Sequence, residues 1–187
     1  MAPSDTVFIL ARIPRTAFHG VSGDLNLASE LGNAYFSPDN HHQSLSALHS
    51  DRHVDMLIAA MSALDTPAFV IDYDRFGSRG GGGDPILWEF FSADDKPAGL
   101  NMLLQNLRVQ TSAREIVDGH RHRPHVTVSY RAPRKLRTRR IAAVRCVIDG
   151  IELVRVVGSG QDYRYETIFS KRLSAMPNLP PLQQNFF

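Results

Sequence analysis

His42-Gln43-Ser44-Leu45-Ser46 and His125-Val126-Thr127-Val128-Ser129 share one pattern: a histidine, any residue, a hydroxyl residue, an aliphatic residue and a serine. In a β-strand, alternate side chains point to the same face. Each stretch is therefore predicted to be a strand with an imidazole and hydroxyls in front and apolar residues behind, with Tyr130 continuing the apolar side of the second. Two such fronts facing each other across a cleft would supply two imidazoles and at least two hydroxyl donors, a set that can handle a phosphate ester without a metal.

Length and composition indicate one globular unit with a hydrophobic core. The chain has 187 residues, 43% of them hydrophobic, and a formal net charge of +2. These values predict a single domain or a single two-lobed unit. The charge is uneven, because residues 121–145 contain nine Lys or Arg and no Asp or Glu. This basic block is either a solvated face or a surface that attracts an anionic partner.

Cysteine usage and the termini indicate the cellular setting. Cys146 is the only cysteine, so no internal disulfide forms, and its apolar neighbours predict a buried, inert thiol. The N-terminus lacks the basic and then apolar layout of a signal peptide, and no apolar run is long enough to span a membrane. We therefore expect a soluble, cytoplasmic protein, and a monomer.

Periodicity and turn signals predict the order of elements. Strands are expected at 7–13, at each histidine stretch, at 68–73, 85–91 and 163–173, and at 144–157 with a break near Gly150. Helices are expected at about 25–31, from a cap at Asp51 to about Leu64, at 97–111 and at 133–140. The four glycines Gly80 to Gly83 lack the lysine of a phosphate-binding loop, which favours a flexible hairpin loop.

This order predicts an α+β protein of two pseudo-symmetric lobes, with a coarse internal duplication of about 90 residues. Each lobe is expected to be an antiparallel sheet backed by helices, with the active site in the cleft between them. The bilobal domain is expected to cover residues 1–173. Residues 174–187 form a proline-rich tail that is expected to be held loosely.

The paired motifs resemble those of the two-histidine phosphoesterases, and most of all those of the RNA 2′,3′-cyclic phosphodiesterases, historically called 2′-5′ RNA ligases. These proteins carry two His-x-(Thr/Ser)-hydrophobic tetrapeptides about eighty residues apart, and here the histidines are 83 positions apart. The flanks Pro38-Asp39-Asn40-His41-His42 and Arg123-Pro124-His125-Val126-Thr127 also resemble the family pattern, as does the last strand around Tyr165-Glu166-Thr167-Ile168. Three positions depart from it: Ser44 replaces the commoner Thr, Gln43 replaces an apolar residue, and Tyr130 stands where Arg often follows.

The resemblance implies hydrolysis of a 2′,3′-cyclic phosphate on RNA or a nucleotide to a 2′-phosphate, with no cofactor and no metal. Weak 2′-5′ ligation would follow as the reverse reaction. Histidine suits the two proton transfers because its reference pKa is about 6.5. We predict His42 as the general acid and His125 as the general base, although the sequence gives little basis for choosing between the two orders.

Phosphate contacts are expected from Ser44, Thr127 and Arg123. Base or substrate contacts are expected from Phe76, Tyr130 and Arg131.

Other functions remain open at this stage. The chain could be an RNA-binding module without turnover, whose affinity would fall steeply with salt, or a phosphoesterase for another cyclic phosphate or a 2′-5′ oligonucleotide. His49 with His53, and His120 with His122, have spacings that occur in metal sites, but the usual supporting ligands are missing nearby. His41 is expected to face away from His42 and to take no catalytic part.

Overall fold

The computed structural model describes residues 6–93, 96–117, 122–158 and 164–176. Over these ranges the chain forms two antiparallel sheets with a few helices, which confirms the predicted α+β class. The strands are β1 Thr6–Arg12, β2 His42–Ser44, β3 His49–Ser50, β4 Phe69–Gly81, β5 Asp84–Phe91, β6 His125–Ser129, β7 Arg139–Ile148, β8 Gly150–Val157 and β9 Arg164–Arg172. The α-helices are α1 His19–Asp24, α2 Leu27–Leu31, α3 Val54–Ser62 and α4 Ala98–Ser112, and short 3-10 turns occupy Gly32–Ala34, Pro38–Asn40 and Asp51–His53.

Each sheet carries one of the histidine motifs on an edge strand. The first sheet has the order β2-β1-β8-β9, with β3 also pairing with β1, and the second has the order β6-β5-β4-β7. The first sheet therefore combines strands from both ends of the described chain, whereas the second is built from its middle. The two lobes that the sequence predicts are therefore present, but the chain returns to the first sheet after it has built the second. In both sheets the strand order begins with the short histidine strand.

Apolar faces of both sheets meet in the main core. On β1 the odd-numbered residues Val7, Ile9 and Ala11 join this core, whereas Phe8 and Leu10 pack on the opposite face with residues of β8 and β9. A strand buried on both faces has a continuous apolar sequence, as residues 7–11 do. The thiol of Cys146 is buried, as predicted, and burial raises its pKa to about 12.

Helix α4 lies close against the second sheet. Its buried residues Leu100, Leu103 and Leu107 recur at helical spacing and confirm the stripe predicted for this helix. At its first turn, a Cβ on Gly99 would lie 2.2 Å from the Cβ of Phe69 on β4. Glycine at this position therefore permits a close approach between helix and strand.

The glycine run closes the β4–β5 hairpin, as predicted. Gly81 pairs with Asp84, so that Gly82 and Gly83 form the turn. All four glycines have positive φ, between 72° and 110°, a region in which other residues are strained. The hairpin continues the sheet beyond the core and shows no relation to a phosphate-binding loop that opens a helix.

Two predicted helical features are wrong. Residues 133–138 form a loop before β7 because their backbone binds side chains of the hairpin: Trp88 Nε1 donates to the carbonyl of Arg134 at 2.8 Å, and Leu136 N donates to Ser78 Oγ at 2.8 Å. Asp51 does not cap a helix. It begins a 3-10 turn, and its carboxylate accepts a bond from Arg155 at 2.7 Å.

The remaining predictions about chain organisation are tested only in part. Asp149 alone separates β7 from β8, which confirms the break expected near Gly150. No helix in the described ranges is both long and apolar enough to cross a bilayer. Of the proline-rich tail, residues 177–187 lie outside the described residues.

Candidate active site

The two histidine strands lie next to each other, although they belong to different sheets. Among the described residues strand β2 pairs only with β1, and Gln43 in its middle reaches across to the start of β6, where its side chain binds the backbone of Arg123 and His125. The charge of His125 is one of the causes that lower the pKa of His42, so the two imidazoles are electrostatic neighbours. The structure therefore brings together two residues that are 83 positions apart in the sequence.

Both imidazoles are held by the same local bond. His42 Nδ1 lies 2.8 Å from the carbonyl oxygen of Asn40, and His125 Nδ1 lies 2.9 Å from that of Arg123. In each case the acceptor belongs to the residue two positions earlier. A carbonyl oxygen only accepts, so the proton of the neutral ring sits on Nδ1 and the lone pair on Nε2. Each Nε2 can therefore take up a proton, or donate one once the ring is charged.

Aromatic rings surround His42. Its ring centroid lies 5.5 Å from that of Phe8 and 5.0 Å from that of Tyr165, and both contacts are edge-on. Arg12 faces His42 across the β1–β2 pair and is fixed by an ion pair to Glu152 at 2.8 Å. Burial is the main cause that lowers the pKa of His42, to about 4, and the charges of His125, His41 and Arg12 act in the same direction.

Charged groups surround His125 instead. Glu89 on β5 pairs in register with Thr127 of β6, and its carboxylate is buried. It forms an ion pair with Arg123, and its Oε2 lies 3.9 Å from Nε of Arg79 on β4. Burial lowers the pKa of His125, the bond to the Arg123 carbonyl raises it, and the charges of Arg79 and Arg123 lower it. Both pKa values therefore lie below the usual 6.5, which favours the uncharged imidazoles at neutral pH.

The predicted hydroxyl residues have unequal positions. Ser44 is half-buried and Thr127 is buried, and strand alternation places each on the face of its histidine. Ser46 does not belong to this face, because β2 ends at Ser44 and the Ser46 hydroxyl accepts a bond from Ile9 N at 2.8 Å. Ser129 is also buried, and its hydroxyl accepts a bond from Arg131 N at 3.2 Å.

The three residues predicted to contact the base or substrate differ in exposure. Phe76 is 1% exposed and packs against Phe90 and Trp88, which makes it a core residue. Tyr130 is 43% exposed and lies edge-on to Phe36, just after the end of β6. Arg131 is exposed on the following bend. Arg123 remains beside His125, but it is also committed to Glu89.

Sequence reasoning missed two charged residues near His125, Arg79 and Glu89. Arg79 lies directly before the glycine run, and Glu89 lies in an otherwise apolar strand. A lone acidic residue at a position that alternation assigns to a sheet interior is a signal of a buried ion pair. Its arginine partners come from other parts of the chain, and only the folded sheet identifies them.

The other histidines form no recognisable metal site. Within the described part of the chain, no group of three or more His, Cys, Asp or Glu could hold a metal ion. His49 lies on β3 and His53 in the 3-10 turn, with ring centroids 6.3 Å apart, and His120 lies outside the described residues. His41 is buried, with its ring edge-on to those of Phe18 and Tyr35.

A cavity of about 330 Å³ lies apart from both histidines. Its walls include Phe76, Trp88 and three arginines of the basic block. The lining residues are Asp24, Leu25, Leu27, Glu30, Phe76, Trp88, Arg134, Leu136, Arg137 and Arg139. Neither a histidine nor a hydroxyl residue of the two motifs lines it, so the candidate chemistry belongs to the cleft at β2 and β6 and not to this cavity.

No protein-family model and no curated protein matches the chain. Solved structures do match it. The crystal structure of a phosphoesterase is 16% identical with a TM-score of 0.72, over 92% of this chain and 99% of that one. LigT of E. coli in its apo form is 17% identical with a TM-score of 0.69, over 91% and 98%. TT0787 of Thermus thermophilus is 15% identical with a TM-score of 0.70, also over 91% and 98%.

The chain thus has the fold of LigT-type phosphoesterases over nearly its whole length, which confirms at the level of fold the resemblance found in the motifs. LigT has also been crystallised with ATP, with 3′-AMP and with phosphate.

Proposed function

We propose that this protein is a metal-independent phosphoesterase that opens 2′,3′-cyclic phosphates at the ends of RNA or on nucleotides. One observation carries the proposal: His42 and His125 come from two sheets, interact electrostatically, and each have Nδ1 bound to a carbonyl. Both therefore present Nε2 for proton transfer. A hydroxyl residue follows each histidine on the same strand face, as phosphate binding requires.

The reaction needs two proton transfers on opposite sides of phosphorus. A water molecule attacks phosphorus in line and gives its proton to one imidazole. The bond from phosphorus to the 3′-oxygen breaks, and the second imidazole protonates that oxygen. The product is a 2′-phosphate monoester with a free 3′-hydroxyl. Each positioned acid or base contributes about 10²–10⁴ in rate.

We propose His42 as the acid and His125 as the base. A His42 pKa of about 4 makes its charged form a strong proton donor, and the negative charge of a bound phosphate would raise that pKa and so populate the charged form. His125 lies beside Arg79 and Arg123, whose charges favour its neutral form. A neutral imidazole with a free lone pair on Nε2 is the form that a general base requires.

The developing charge on phosphate has four candidate partners. Ser44 and Thr127 would donate hydroxyl bonds to the non-bridging oxygens. Of the two arginines, Arg79 is the more available to bind phosphate. Its side chain is 54% exposed, and its Nε lies 3.9 Å from Oε2 of Glu89, too far for a direct hydrogen bond. Arg123 is 41% exposed and is bound to Glu89 directly.

Hydrolysis of nucleoside 2′,3′-cyclic phosphates in excess EDTA, with the products identified by phosphorus NMR, tests the proposal. We expect a 2′-phosphate as the product and a loss of at least about 100-fold in His125→Ala. The exposed His19 on α1 provides the matched control, His19→Ala, with wild-type turnover.

The alternatives give different results in the same assay. An RNA-binding module without turnover would bind RNA in a salt-dependent manner and release no product. A phosphoesterase for another cyclic phosphate or for a 2′-5′ oligonucleotide would cleave those substrates in a panel and spare the 2′,3′-cyclic phosphate. Wild-type activity in His125→Ala would contradict the proposed mechanism.

A further inference from the structure

Gln43 is a buried polar residue between the two members of the first motif, and the mechanism above gives it no role. Its side chain is 0% exposed. Alternation along β2 turns it away from the face of His42 and Ser44 and towards the second sheet. There it meets Tyr73 of β4 and the segment that leads into β6.

The hydrogen-bonding capacity of the Gln43 amide is fully used. Its Oε1 accepts from His125 N at 2.9 Å and from the hydroxyl of Tyr73 at 3.3 Å. Its Nε2 donates to the carbonyl of Ser44 at 2.9 Å and to that of Arg123 at 3.1 Å. A backbone N–H only donates and a carbonyl only accepts, so these partners fix which end of the amide is oxygen.

Two of these four bonds hold the main chain next to the imidazole of His125, which belongs to the other sheet. The carbonyl of Arg123 accepts both Gln43 Nε2–H and His125 Nδ1–H. Gln43 Oε1 holds the backbone N–H of the same histidine. The side chain of the first motif therefore fixes both the main chain of His125 and the carbonyl that orients its ring.

We infer that Gln43 is a positioning residue, which sets the orientation and the tautomer of His125 and couples the two motifs across the cleft. This inference deepens the proposed function and rests on it for the effect on turnover. An apolar residue at position 43, as is usual in the family pattern, could pack at this place but could make none of the four bonds. Misplacement of a catalytic group by about 1 Å can cost about 100-fold in rate.

The test replaces Gln43 without changing its size and follows the ring of His125 directly. In Gln43→Met the bond between His125 Nδ1–H and the Arg123 carbonyl should weaken. Nitrogen-15 NMR of the histidine rings should then show less of the Nδ1–H tautomer. Because that bond raises the pKa of His125, its pKa should fall. On the cyclic phosphate, kcat should drop by up to about 100-fold while KM stays within about twofold.

Two further variants keep the test decisive. Gln43→Glu retains an acceptor for His125 N but replaces both donors, so it should reproduce the loss of the Nδ1–H tautomer even if the Met variant fails to fold. Asn106→Ala is the control, because it removes another side-chain amide bond, to Thr66 Oγ1 at 3.1 Å, and should leave the ring of His125 unchanged.

The outcomes separate this inference from the proposed function. A wild-type tautomer and pKa of His125 in a folded Gln43 variant would overturn the positioning role, whatever the activity. An altered tautomer would support it even if the wild-type protein hydrolysed no cyclic phosphate, and that second result would overturn the proposed function alone.

Discussion

The surroundings of His42 and of His125 differ, although the two residues begin the same motif and bind a carbonyl in the same way. His42 packs edge-on against the rings of Phe8 and Tyr165, which also contact each other, and is 7% exposed. His125 is less buried and lies beside the ion pairs of a buried carboxylate, Glu89. Burial is the largest cause that lowers both pKa values, but the charges that add to it differ: those of His125, His41 and Arg12 act on His42, and those of Arg79 and Arg123 act on His125.

This difference gives the two halves of the cleft different responses to an anion. A phosphate placed between them would add a negative charge near His42 and so raise its pKa, whereas Arg79 and Arg123 would continue to favour the neutral form of His125. Similar motifs thus acquire unequal acid–base properties through what packs around them, as a reaction that needs one acid and one base requires.

The largest expected effect comes from removing either imidazole. His42→Ala and His125→Ala should each lose about 10²–10⁴ in kcat on a 2′,3′-cyclic phosphate. On bis(4-nitrophenyl) phosphate, whose leaving group needs no proton, His42→Ala should lose much less than His125→Ala. Initial rates of the two variants on both substrates measure this. The opposite ranking would exchange the roles of acid and base.

Acid sensitivity of the fold should reveal how strongly burial holds His41 and His42 neutral. Both have pKa values lowered to about 4, mainly by burial. Below about pH 6.5 both histidines take up a proton in the unfolded chain but stay uncharged in the folded chain. Stability should therefore fall as the pH falls from about 6.5 to about 4, by up to roughly 3 kcal/mol for each histidine. Urea unfolding at a series of pH values measures the slope.

The variant His41→Leu should remove one of these two contributions. Its unfolding free energy should depend less steeply on pH between about 4 and 6.5 than that of the wild type. A slope equal to that of the wild type would show that His41 does not titrate in this range.

Removal of Arg79 tests whether its charge contributes to phosphate binding on the His125 side of the site. We expect Arg79→Ala to reduce kcat/KM on the cyclic phosphate by roughly 10-fold to 100-fold, through loss of a charged donor to phosphate. Arg108→Ala removes the same charge from an exposed position on α4 and should have wild-type kinetics. Equal kinetics for the two variants would remove Arg79 from the site.

The pH profile should show the smallest effect, a shift of its optimum. For free enzyme and substrate, kcat/KM is highest between the pKa values of the two imidazoles. Both values lie below the usual 6.5. A bell-shaped profile with its maximum below pH 6.5 is therefore expected in buffers of constant ionic strength. A maximum above pH 7 would contradict the uncharged state of both histidines in the free protein.

Much of the fold was predictable because its signals are local. The stripe of Leu100, Leu103 and Leu107, the strand at Val7 to Ala11 and the glycine hairpin all depend on near neighbours in the chain. The loop at 133–138 was not predictable from its composition. Basic residues of this kind also suit a helix, and the bonds from Trp88 and Ser78 that favour a loop come from residues 46 and 58 positions away.

The sequence by itself determined which chemical groups are available, because residue type decides which side chains transfer protons near neutral pH. The repeated motif identifies His42 and His125 among them. Tertiary structure alone decided how that chemistry is arranged. It buried Phe76, placed Arg79 and Glu89 beside His125, and used Gln43 to join the two sheets. The physical reason is that strand alternation acts over neighbouring residues, whereas desolvation, ion pairing and hydrogen bonding between sheets depend on distances that only the folded chain sets.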